Sequence, residues 1–271
     1  MIFPHRFFAR LVLVAALQAG RGLAAEMSQR AAPWISLFNG RDHASWTIEA
    51  APTDQDRGLI TVQDGAIWVH ARTPDKLCKD HVWLVTKKEY SDFVLRLKFQ
   101  SVRGDRGNSG IQIRSRIDGD RGMQGPQLDL NPPGPWRTGM LYDMTTGVTR
   151  FLSPDLPTSE VTESLAAPGL IHHYADEGPG WNEMEITAIG PRIKCVLNGV
   201  AVLDFVDANN VLKDDIHQKY NVGVKGYVAF QVHAGRPLDM KFKDIEIQDL
   251  AAVEGKPSSV GGTEFHQYQP H

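Results

Sequence analysis

From about Trp34 to Leu250 the chain is a succession of short strand-like stretches broken by clusters of Gly, Pro, Asn and Asp, and a sustained amphipathic helical repeat is hard to find. Such a chain can bury apolar surface only by turning one face of each strand toward a shared core. The pattern therefore predicts an all-β sandwich or barrel. The clearest strand is "DFVLRLKF", in which Phe93, Leu95, Leu97 and Phe99 alternate with Val94, Arg96 and Lys98. "RIKCVLNGVAVLDF" joins two strand patterns through Asn198 and Gly199, the preferred pair for a two-residue type I′ turn.

Because side chains on a strand alternate with period two, parity sorts polar residues onto faces. In "GPQLDL", Leu128 and Leu130 face the core, which leaves Gln127 and Asp129 together on the other side. The same test on "SGIQIRS" pairs Gln112 with Arg114, on "GMLYD" Met140 with Tyr142, and on "GYVAFQVH" Ala229 with Gln231 and His233. If these four strands are neighbours in one curved sheet, their polar side chains converge on a concave surface. Amides, a guanidinium and aromatic rings offer the directional hydrogen bonds that a hydroxyl-rich ligand can match. An exposed sheet face with scattered polar residues is the competing reading, since strand order is not written in the sequence.

The 271 residues are 42% hydrophobic and 23% charged, with a formal net charge of -3. That length supports a sizeable core, and the charge supplies no basic excess for a phosphate backbone, so nucleic acid is not an expected partner. A neutral small molecule fits better. Residues 1–25 place His5, Arg6 and Arg10 before an apolar run from Leu11 to Leu17 and small residues near Ala24 and Ala25, the order of a secretory signal peptide. The run is short for a bilayer span, so stable membrane insertion is not expected and the mature chain is read as exported, periplasmic or secreted. Cys78 and Cys195 leave one disulfide or two free thiols open. Residues 151–179 carry prolines, acids, His172 and His173 without periodicity and read as an excursion over one face, a rim or lid. Residues 251–271 read as a flexible tail.

The ordered series "LFNGRDHASW", "VQDGAIWV", "YSDFVLRLKF", "GNSGIQIRS", "GPQLDL", "GMLYD", "GWNEMEITAIGPRIKCVLNG", "GYVAFQVHAG" and "MKFKDIEI" resembles the 3-keto-disaccharide hydrolase domain family over residues 34–250. The resemblance implies a jelly-roll, concanavalin A-like β-sandwich of two antiparallel sheets with a concave, carbohydrate-binding face. It also implies cleavage of 3-keto-glycosides or 3-keto-disaccharides by proton abstraction at C2, β-elimination of the C1 substituent and hydration. On that reading Asp129 or His233 is the base or a metal ligand. Arg114 or a bound divalent cation polarises the C3 carbonyl, and Tyr142 protonates the leaving oxygen. Gln112, Gln127, Gln231 and Asp143 orient substrate hydroxyls, and no organic cofactor is expected. Many relatives carry "GYEVQ" where this chain has "GPQLD", so their glutamate falls on Gln127 and their glutamine on Asp129. A noncatalytic carbohydrate-binding module is the alternative function.

Overall fold

The computed structural model describes residues 32–251 apart from 74, 76, 120, 121 and 179. The signal-peptide reading, and the tail beyond residue 251, lie outside the described residues. The strands are β1 (Trp34–Ser36), β2 (Trp46–Glu49), β3 (Ile60–Gln63), β4 (Ala66–Ala71), β5 (Val82–Thr86), β6 (Phe93–Ser101), β7 (Ser109–Ile117) and β8 (Met123–Gln124). They continue with β9 (Pro126–Leu130), β10 (Leu141–Asp143), β11 (Arg150–Ser153), β12 (Asn182–Ile189), β13 (Arg192–Leu197), β14 (Val200–Val206), β15 (Tyr227–Val232) and β16 (Leu238–Asp249). One short helix, α1 (Asp215–Tyr220), precedes β15.

These strands form two eight-stranded antiparallel sheets stacked as a sandwich. Sheet I runs β14-β13-β12-β6-β16-β4-β3, with β1 also on β16; sheet II runs β11-β10-β9-β7-β15-β5-β2, with β8 also on β7. The alternation read in β6 holds: Phe93, Leu95, Leu97 and Phe99 join the core, while Arg96 is exposed. From sheet II, Ile111, Ile113, Leu128, Leu130, Leu141, Val228, Phe230 and Val232 enter the same core. The two layers meet at Phe230 of β15 and Phe242 of β16, stacked with ring centroids 4.6 Å apart, and Trp46 packs on Phe230 at 5.0 Å. Asn198 and Gly199 both take left-handed backbone, with φ of 49° and 80°, as the type I′ turn between β13 and β14 requires.

Residues 151–179 do not simply cap one face. Val161 and Leu156 pack beside Tyr142 on the outer side of sheet II, whereas Leu170 packs on the main core. Tyr174 then bridges to Ser101 in sheet I, and His172 Nε2 lies 3.2 Å from Ser101 Oγ. The segment crosses from one layer to the other. Cys78 and Cys195 are both free and buried. Among the described residues no helix is long and apolar enough to cross a membrane.

Candidate functional site

The strands singled out by parity are neighbours: β10, β9, β7 and β15 lie in that order in sheet II. One row across its outer face runs Val85–Ala229–Gln112–Gln127–Tyr142, each residue paired with the next. The adjacent row contains Glu49–Trp83–Gln231 and, beyond the next strand boundary, Gly110–Asp129. Directly paired residues point the same way, so Gln127, Asp129, Tyr142 and Gln231 share the outer face. Gly110 leaves the hollow between them. A Cβ there would fall 2.1 Å from Gln127 Cδ, so the Gln127 side chain occupies the space a larger residue would need.

At the β9–β10 end a carboxylate meets a guanidinium. Arg137 Nη2 lies 2.8 Å from Asp129 Oδ2, although the contact is an ion pair rather than a well-aligned hydrogen bond. With the Asn131 amide oxygen turned toward it, the same guanidinium is 3.2 Å from Asn131, and it sits 5.1 Å over the Phe151 ring. The turn Pro135–Arg137 places it there, because the chain folds back so that Asp129 N–H donates to Met140 O and Gly139 N–H donates to Asp129 O. Asp129 is only 2% exposed. Burial pushes its carboxyl up to about 6, against the opposing pull of Arg137. Tyr142 packs edge-on against Phe151 at 5.0 Å. Burial also raises its phenol, despite a hydrogen bond to Thr158.

Three expectations are corrected. Arg114 does not reach this face. Two steps along β15 match three along β7 between Tyr227–Ser115 and Ala229–Gln112, which is a β-bulge, and Arg114 takes φ of 50° within it. The bulge turns its guanidinium away to donate to Ser91 O, Gly190 O and Asp92 Oδ1, tying β7 to the β12–β13 turn. Ser115 takes its place beside Gln112, with Oγ 2.7 Å from that amide. Asp143 has the parity of Leu141 and points inward, where its Oδ2 lies 2.8 Å from His217 Nε2; it anchors α1 and orients no ligand. Gln112 is fully buried, 3.2 Å from Gln127 and 2.9 Å from Met144 Sδ, so it positions Gln127 and cannot touch a substrate directly.

Asp129 and His233, each a candidate metal ligand, do not stand close enough to hold one ion together. β9 and β15 are separated by β7, about 10 Å at ordinary strand spacing, too far for one ion. Among the described residues no three His, Cys, Asp or Glu side chains gather as ligands. The Asp129 surroundings thus do not fit a cation held with His233. His233 instead places Nδ1 2.9 Å from Ala234 O and stands edge-on to His81, with centroids 4.6 Å apart.

His81, Trp83, Glu49 and Arg137 were not singled out by parity. "VWLVT" is apolar on both faces, so alternation alone does not mark it as part of a polar surface, yet its run of Val, Trp and Leu is that of a doubly covered strand. Trp83 and Val85 pack with Met123 and Ala229 in a second apolar cluster on the outer face, joined by Met144. The face read as an open concave surface is therefore partly roofed. Beside the roof, a cavity of about 450 Å³ opens between Glu49, His81, Trp83 and Gly122. A larger groove, about 750 Å³, lies on the outer face of sheet I. Its charges are paired in Arg96–Glu246 at 2.6 Å and in Lys98 at 3.3 Å from both Glu183 and Asp244, so its chemistry is that of a solvated sheet.

Two stacked antiparallel sheets with this polar outer face make the fold a jelly-roll, concanavalin A-like β-sandwich. The sequence of residues 33–248 matches the 3-keto-alpha-glucoside-1,2-lyase-like domain, and the chain belongs to that family. Among solved structures, it is similar to a presumed glycosyl hydrolase from Parabacteroides distasonis, with 19% identity and a TM-score of 0.52 over 82% of this chain and 96% of that one. It is also similar to the carbohydrate-binding module CBM66 from Bacillus subtilis, at 12% identity and a TM-score of 0.45 over 75% and 95% of the two chains. No protein of curated function matches the sequence.

Proposed function

We propose that the protein cleaves the glycosidic bond of 3-keto-glycosides on the outer face of sheet II, with Asp129 as the base. The carrying observation is a buried carboxyl near pKa 6, facing one guanidinium and close to a phenol. A C3 ketone acidifies the C2 proton. Asp129 takes that proton, the C2–H electron pair forms the C1–C2 double bond, and the C1 oxygen leaves with a proton from Tyr142. Water then adds to C1 of the enone, completing a net hydrolysis. Protonation cancels the Asp129 charge just as negative charge builds on the C3 oxygen, so Arg137 becomes free to stabilise it, the role first expected of Arg114. A raised phenol keeps Tyr142 protonated at neutral pH, as a donor must be. Because Asp129 is buried, productive binding requires Arg137 or the segment bearing Thr158 to move aside.

The burial and ion pairing of Asp129 also favour a second reading, a noncatalytic sugar-binding module in which that pair is structural. Incubation with a 3-keto-glycoside and its unoxidised parent, with and without chelator, separates the two. Cleavage of the keto form alone supports the enzyme; cleavage of neither, with sugar binding retained, overturns it. The basic-then-apolar order of residues 1–25 supports an exported protein.

A further inference from the structure

We propose that residues 154–166 are a lid over Asp129 and, taking Tyr142 as the proton donor, that Thr158 on this lid is a positioning residue that orients the phenol when the lid is shut. The segment follows β11 directly. Leu156 and Val161 join Met140, Phe151, Trp136 and Tyr142 in one apolar patch, and Thr158, between them in sequence, hydrogen-bonds the Tyr142 phenol. Met140 O accepts the Asp129 N–H at 2.9 Å, so the patch borders the base as well as the donor. The turn Glu163–Leu165 lies beside Pro135–Arg137, the turn that carries Arg137.

The lid is held firmly at its ends and lightly between them. Ahead of it, β11 pairs with β10. Behind it, Asn182 clamps His173, with Oδ1 accepting the His173 N–H at 2.9 Å and Nδ2 donating to the His173 carbonyl at 2.8 Å. Asn198 Nδ2 donates to Ile171 O at 2.7 Å. Within 154–166 Val161 alone is buried, and no strand of either sheet includes the segment. Its main-chain hydrogen bonds are local, as in Glu160 N–H to Pro157 O and Leu165 N–H to Thr162 O. The Arg150–Asp155 ion pair, 2.7 Å long, is exposed on both sides and adds little. A segment with so little apolar burial opens while the rest of the fold stays intact. Arg137, by contrast, is fixed by Asp129, Asn131 and Phe151. The lid is therefore the part that moves to uncover Asp129.

Closure also sets the phenol. Burial disfavours its ionisation most, the Thr158 hydroxyl and Arg137 favour it, and Asp129 on β9 and Asp143 on its own strand oppose it. Arg150, paired with Asp143 across β10 and β11, is taken up by Asp155, and the other lid acids, Glu160 and Glu163, are exposed. Thr158 thus steadies the phenolate that remains when Tyr142 gives up its proton, and does so only with the lid shut.

The test begins without substrate, in the full chain. Met140 is buried in the patch that the lid closes, so oxidation of its thioether by hydrogen peroxide, read by mass spectrometry, reports opening. Met140 is expected to oxidise faster than Met184 and Met240 of the main core. It should react about tenfold faster again in Leu156→Ala and in Thr158→Val, but not in Thr158→Ser, with the melting temperature unchanged. A Met140 as inert as Met184, or indifferent to Leu156→Ala, overturns the lid. On a 3-keto-glycoside, Thr158→Val should lower kcat about tenfold with KM within about twofold. It should also move the alkaline limb of the pH–rate profile to higher pH, because the phenol loses a hydrogen bond that favours its ionised form. Thr158→Ser should restore both. Full kcat and an unmoved limb in Thr158→Val overturn the positioning role. A parent chain inert toward the keto-glycoside overturns the donor role of Tyr142 and its positioning with it, while Met140 oxidation decides the lid independently.

Discussion

Arg137 Nη2 stands 2.8 Å from Asp129 Oδ2, across a turn that the sequence marks only as "NPPGPWRTG". Asp129 must be ionised to act as a base, so kcat/KM on a 3-keto-glycoside is expected to fall as pH drops through about 6. Asp129→Asn should lose about 10²-fold or more in kcat. Arg137 holds the carboxyl below where burial alone would put it. Arg137→Gln should therefore move the acid limb to higher pH, as well as lower the rate. A pH–rate profile unmoved by Arg137→Gln would show that the pair is not part of the reaction.

His217 predicts a pH dependence of stability. Its imidazole is buried, which disfavours the charged form, but Asp143 Oδ2 at 2.8 Å and Asp214 Oδ1 at 2.7 Å outweigh this and raise its pKa. A raised folded pKa means that the stabilisation is complete below the unfolded value and is lost as pH rises through the folded one. Asp214 is held low by the His217 backbone and ring despite its own desolvation, so its contribution is lost in acid instead. Melting temperature should therefore decline on the alkaline side of His217 titration. His217→Gln should remove that decline and cost about 3 kcal/mol, because Asp143 stays buried without its charge partner. Thermal melts across pH for both proteins check this.

Arg114 is expected to matter for folding and not for chemistry. Its side chain is 3% exposed and satisfies two backbone carbonyls and Asp92. Arg114→Met should cost about 2–4 kcal/mol by stranding those acceptors, measured by urea unfolding. Its kcat on a 3-keto-glycoside at low temperature should stay within a few-fold of the parent. A stable variant without turnover would restore Arg114 to the site.

Gly110→Ala tests the hollow in the face. The new methyl would lie 2.1 Å from Gln127 Cδ in a buried environment, so Gln127 must leave its place beside Gln112. The expected cost is about 1–3 kcal/mol, with turnover falling by more than the loss of folded protein accounts for. Denaturation and activity assays on the same preparation separate the two effects.

The strands and their inward faces were legible because alternation is a local property: Ile111, Leu128, Leu141 and Phe230 were assigned to the core from their immediate neighbours and lie there. The Asn198–Gly199 turn was legible for the same reason, since its left-handed backbone is a demand on two residues. Parity also placed Gln127, Asp129, Tyr142 and Gln231 on one outer face, conditional on strand order.

Tertiary structure decided what that face touches. One extra residue in β7 redirected Arg114, and no periodic rule reveals where a strand will bulge. Asp143 was given a substrate role only by the family resemblance, although it shares the parity of Leu141; the arrival of His217, 74 residues away, makes its burial tolerable. Arg137 reaches Asp129 through a turn, and Met144 covers Gln112 from beyond β10. Sequence periodicity set which way a side chain leaves its strand. The partner that gives that side chain its charge, exposure and chemistry came from chain segments that only folding brings together.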